Sequence, residues 1–152
     1  MNLSKNLSLK EAIRSQTATR KGIDNTPGAG HLEALQAIAE NVFQPARDFF
    51  GVPIRVSSGY RSPALNKAIG GSKTSQHSKG EALDLILEGR NLSLFMFILN
   101  NLDFDQLIWE FGSDVEPDWV HVSYKTSGNR GEVLVADRYK GRVRYSHYEP
   151  KG

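Results

Sequence analysis

The sequence predicts an α+β fold, an antiparallel sheet flanked by helices from the N-terminal half. Two observations predict it. Helix-start and helix-stop signals cluster before residue 71, and short alternating apolar runs dominate from residue 82 onward. Helices first and strands afterwards argue against a regular βαβ alternation and for an antiparallel sheet.

The elements follow in order. Ser8-Leu9-Lys10-Glu11 has the spacing of a capping box and opens a short helix. Residues 15–30, rich in Ser, Thr, Gly, Asn and Pro, read as a loop. From His31 a helix places Leu32, Leu35, Ile38, Ala39 and Val42 on one face. Pro45 is expected to kink or end it, and Gly51 closes the segment. Ile54, Val56 and Ser58 alternate with Arg55 and Ser57 as a strand. Ser62-Pro63 reads as an N-cap with proline in the first helical position, and that helix runs to Ile69 and stops at Gly70-Gly71. Residues 82–87 form a strand, 93–101 a buried helix, and 106–109 and 119–124 two more strands. Residues 132–136 and 142–146 form a final hairpin or a tail around Tyr139-Lys140-Gly141.

A chain of 152 residues fits one domain with a real core. Its net charge of +2 is too small to argue for a nucleic-acid partner. The absence of cysteine excludes disulfides and thiolate-bound zinc and leaves His, Asp and Glu as candidate ligands. The start, Met1-Asn2-Leu3-Ser4-Lys5-Asn6, has no apolar core of a secretory signal, so delivery by another route is expected for action outside a cytoplasm. The strongly apolar run 92–99 is too short to span a bilayer, so no membrane insertion is expected.

The chemistry concentrates in Ser75-Gln76-His77-Ser78-Lys79-Gly80-Glu81-Ala82-Leu83-Asp84 and in Asp118-Trp119-Val120-His121. His77, Asp84 and His121 make a set of N and O donors suited to zinc, with a fourth position open for water. Strand parity supports the grouping. Asp84 shares a face with Ala82 and Ile86, His121 shares one with Trp119 and Ser123, and the intervening Leu and Val residues face the core. His77 precedes the Ser78-Lys79-Gly80 turn, which can bring it back over the same point. A carboxylate within an apolar strand needs a partner. From the residues alone, however, a metal site and a set of hydrogen-bonded histidines both remain open.

With Ser58-Gly59-Tyr60-Arg61-Ser62, these motifs resemble the zinc D-alanyl-D-alanine peptidase family of bacteria and phages, which includes phage endolysins and shares its scaffold with the Hedgehog signalling domain. The resemblance runs from about Ser8 to Asn129-Arg130; residues 131–152 read as a C-terminal extension of a single domain. It implies one zinc per chain on His77, Asp84 and His121. It implies Asp118 as the general base, Arg61 as the group that binds and polarises the substrate carbonyl, and Ser75 as a substrate contact.

The implied activity is hydrolysis of peptidoglycan stem peptides, as a D-Ala-D-Ala carboxypeptidase or an L-Ala-D-Glu endopeptidase. A monomeric, phage-encoded or bacterial cell-wall enzyme is the accompanying expectation. A non-catalytic zinc-stabilised binding or virion module on the same scaffold is the alternative. Parity sets Asp118 opposite His121, so the chain must bend near Pro117, and Glu110 and Glu116 stay rival bases. Glu110 itself reads as a supporting or solvated carboxylate. Without a motif, Arg61 reads as a surface ion pair. His31 and His147 read as surface residues, and Tyr60, Trp109 and Trp119 as core or cleft walls.

Overall fold

The computed structural model describes residues 1–150. Its architecture is α+β, and a six-stranded sheet organises it. The strands are β3 (Arg55–Ser58), β4 (Ala82–Ile86), β5 (Gln106–Glu110), β6 (Trp119–Ser123), β7 (Glu132–Tyr139) and β8 (Arg142–His147). They lie in the order β3-β4-β6-β5-β7-β8. Every pairing is antiparallel except β5 with β7, which is parallel. A small ribbon of β1 (Asn2–Ser4) and β2 (Leu7–Ser8) precedes them.

The helices are α1 (Leu9–Ile13), α2 (Gln16–Lys21), α3 (Ala29–Ile38), α4 (Gln44–Phe50), α5 (Pro63–Ala68) and α6 (Asn91–Asn101). The capping box at Ser8 and Glu11 is formed, and Ser62 caps α5 with Pro63 in the first turn.

One expectation needs correction. Residues 16–21 are a helix rather than loop. Ser15 caps it through the Ala18 N–H, and Gly22 ends it in the left-handed conformation that glycine adopts without penalty. Of the two outcomes expected at Pro45, the helix is not ended there but distorted just before it, and Gly51 closes the segment as expected. A π-helical turn over Ala39–Phe43 joins α3 to α4, with the Gln44 N–H bonding to the Ala39 carbonyl. The wider turn just before Pro45 lets the chain stay helical to Gly51, because it relieves the clash between a proline ring and the preceding turn.

One sheet face is apolar. Leu83, Leu85, Leu107, Trp109, Val120 and Val122 pack there with Leu35, Val42, Leu94, Phe95 and Ile98 of the helical layer, and all are buried. Register makes the opposite face equally definite. Ser58 lies across from Asp84, Asp84 from His121, and His121 from Ile108. Directly paired residues share a face. The fold therefore uses its apolar face for stability and leaves the other for chemistry.

Candidate metal centre

His77, Asp84 and His121 meet on that second face, each offering one donor atom, all within 4.8 Å of one another. Asp84 Oδ1 lies 3.0 Å from His121 Nδ1 and 3.3 Å from His77 Nε2. Asp84 and His121 are directly paired across β4 and β6, so two of the three donors are set by strand register. The third arrives from a 3₁₀ turn, Gln76–Lys79, which Gly80 ends at positive φ. A side chain at Gly80 would press into the backbone of His31, so this turn packs closely against α3.

The orientation of His77 is held from behind. Its Nδ1 donates to the Gly59 carbonyl at 2.7 Å, which leaves Nε2 facing Asp84. Such an outer hydrogen bond selects the tautomer that presents a lone pair to a metal. Gly59 is itself constrained, since a Cβ there would sit 2.1 Å from the Ala12 carbonyl oxygen. The donor set fits zinc for a further reason. With Nδ1 committed to Gly59, His77 Nε2 can donate to Asp84 only as an imidazolium, whereas a cation between the groups would satisfy both as acceptors.

Burial raises the Asp84 carboxyl pKa, but the charge of His77 and hydrogen bonds from both histidines outweigh it. Asp84 is therefore held well below the usual carboxylate range and is ionised at neutral pH.

Arg61 adjoins this cluster. Its backbone N–H donates to the His77 carbonyl at 3.1 Å and its Nη2 to Ser75 Oγ at 3.3 Å. Its Nε is buried and has no hydrogen-bond partner among the described residues. Burial lowers the guanidinium pKa, and the charge of Asp84 opposes that shift. Ser75 Oγ also accepts from the His77 N–H, so Ser75 caps the 3₁₀ turn and steadies Arg61. Asn25, which the sequence does not single out, bonds the Tyr60 carbonyl and the Ser62 N–H and so clamps both sides of Arg61.

The three candidate bases fall in different places. Asp118 is exposed and lines a groove with Trp109, Leu92 and Met96, which none of the three donor residues lines. Glu116 is engaged elsewhere, its Oε1 accepting from the Asn91 N–H at 2.8 Å at the start of α6. Glu110 shares the donor face: it pairs with Trp119, one pleat period from the His121 pairing with Ile108. Only 8% of it is exposed. Burial pushes its pKa up to about 7, with the charge of His121 pulling it down and that of Asp84 adding to the rise.

The peptidase M15 model matches residues 5–123, a span that includes the three donors, Arg61 and all three candidate bases. The chain belongs to the peptidase M15 family. This is the zinc D-Ala-D-Ala peptidase family, and its zinc dependence agrees with the donor set described above. No curated protein matches the chain. Tyr60 and Trp109 are buried in the core, and Trp119 is half-buried on the donor face. His147 is exposed, as expected, whereas His31 is half-buried with its ring 4.9 Å from that of Tyr60.

Proposed function

We propose that this protein is a zinc peptidase that hydrolyses peptidoglycan stem peptides, with His77, Asp84 and His121 as the metal ligands. The observation that carries this reading is the convergence of the three donors, with Arg61 bonded to His77 beside them and Glu110 on the same face of the sheet. Bound zinc supplies Lewis acidity, polarising a carbonyl and lowering the pKa of water.

The chain's own residues account for the rest. Glu110 is assigned the proton transfer, taking a proton from the attacking water and returning it to the leaving amine. Glu110 is buried on the donor face one pleat period from the His121 pairing, where a carboxylate can serve as that acceptor and donor. Arg61 is assigned the carbonyl oxygen, as the family resemblance implies, because its backbone and guanidinium bond to His77 and Ser75 beside the donors. A guanidinium there stabilises the negative charge that grows on that oxygen in the transition state. Ser75 orients Arg61 and, in the family-derived reading, also contacts substrate.

Defined muropeptides distinguish the bonds. Zinc-loaded protein is expected to release either a terminal D-Ala or the fragments of an L-Ala-D-Glu cut, read by mass spectrometry and abolished by a chelator. Intact muropeptides together with retained zinc would favour the alternative, a non-catalytic zinc-stabilised binding or virion module.

Arg61→Lys tests the oxyanion role separately. Lysine keeps the charge but loses the planar array of donors. The variant is expected to lower kcat by roughly 10- to 100-fold with a smaller rise in KM, within the range for losing one oxyanion donor. A change confined to KM would reassign Arg61 to ground-state binding.

A further inference from the structure

The family match ends at residue 123, but the sheet continues beyond it. β7 adds to β5 in parallel and β8 closes the sheet as its edge strand. Register then carries one row of residues across four strands. Trp119 is opposite Glu110, Glu110 is opposite Ala136, and Ala136 is opposite Tyr145. Residues paired in this way share a face. Tyr145 therefore stands on the donor face, in the row of Glu110 and next to the row that holds Asp84 and His121.

The residue between Glu110 and Tyr145 bears only a methyl group, yet Ala136 is fully buried. A small residue at that position leaves room for its larger cross-strand neighbours to lean over it. Tyr145 itself is 56% exposed on an edge strand, so its ring is not a core residue. Its hydroxyl pKa is raised by burial of that group and by the negative charges of Glu110 and Asp84. Two strand spacings, about 10 Å, separate the backbone of Tyr145 from that of Glu110 on this face, with only the Ala136 methyl between them.

We propose that Tyr145 is a substrate-binding residue of the donor face, supplied by a hairpin outside the family-matched segment. Its ring forms a wall against which the peptide lies, and its hydroxyl donates a hydrogen bond to a peptide acceptor oxygen. The proposal rests on the peptidase reading above. A tyrosine hydroxyl is neutral through the neutral range and so stays a donor.

The test is steady-state kinetics of zinc-loaded Tyr145→Phe and Tyr145→Ala on a cleavable muropeptide, alongside zinc content and thermal midpoint. Tyr145→Ala is expected to raise KM roughly tenfold with kcat within about threefold, as for loss of a wall and a hydrogen bond. Tyr145→Phe is expected to raise KM by roughly fivefold, the share of one hydrogen bond. Zinc content and thermal midpoint should stay at wild-type values, because the side chain is exposed at the sheet edge. Unmoved KM in both variants of an active enzyme overturns the role of Tyr145 alone. So does a loss confined to kcat, or a KM change that merely follows a fall in thermal midpoint. Wild-type protein that holds zinc but cleaves no muropeptide overturns the peptidase reading and this inference with it.

Discussion

The His77→Ala, His121→Ala double variant is expected to hold no zinc after metal loading and desalting, where the wild type holds one ion per chain. Peptidase activity should vanish with the metal. Of the three donors, only the Asp84 carboxylate would remain, and one oxygen ligand does not retain zinc against dilution. The loss also has a signature in the metal-free protein. Asp84 is ionised in the fold because charge and hydrogen bonding from the two histidines overcome its burial. In the wild type, the depressed pKa contributes stability that is present above the unfolded carboxylate range and is lost as pH falls through the folded value. With both histidines gone, the groups that offset burial are lost and only the nearby Arg61 charge opposes it. The Asp84 carboxyl pKa therefore rises, and the stability that its ionisation adds at neutral pH shrinks relative to wild type. Metal analysis and thermal melts between acid and neutral pH measure both effects. Full zinc content in this variant would sink the ligand assignment whatever the activity.

Much of the metal centre was legible because strand alternation is a short-range property. Asp84 stands among Ala82, Leu83, Leu85 and Ile86, and His121 between Val120 and Val122, so parity alone places each on the face away from the core. The structure adds that the two strands are neighbours and that these two residues are directly paired. Capping signals at Ser8 and Ser62 were local in the same way.

What stayed hidden depended on tertiary context. The polar composition of residues 16–21 concealed a helix that needs only Ser15 and Gly22 at its ends. Pro45 pointed to a kink or an end, but the π turn that takes up the distortion is not a sequence pattern. Glu110 alternates correctly with Trp109 for the donor face, but its closeness to His121 depends on β5 lying beside β6. Tyr145 was out of reach for the same reason, since its place depends on a parallel pairing between β5 and β7 that no local pattern announces.

The division between Glu110 and Asp118 leads to the second large effect. Glu110→Gln is expected to keep zinc and to lose roughly 10²- to 10⁴-fold in kcat, the range for removing a general base. On the Glu110 assignment, Asp118→Asn is expected to stay within about twofold of wild type, as for an exposed residue that transfers no proton. Glutamine keeps the size and shape of Glu110 but cannot accept a proton, so the metal ligands should be undisturbed.

The metal-free forms give an independent check. The Glu110 pKa is raised by burial to about 7 from an ordinary value of 4.5. The cost of the charged carboxylate is absent below the ordinary value and grows as pH rises toward about 7. Removing that charge should therefore stabilise the metal-free Gln variant relative to wild type at pH values above about 7, with the gain fading toward about pH 4. A thermal melt series with and without zinc reads this directly, and bound zinc should shrink the difference because a nearby dication favours the carboxylate. Turnover lost in Asp118→Asn and preserved in Glu110→Gln would move the proton transfer to Asp118. That outcome would also require the chain before β6 to turn its carboxylate onto the face that Trp119 and His121 share.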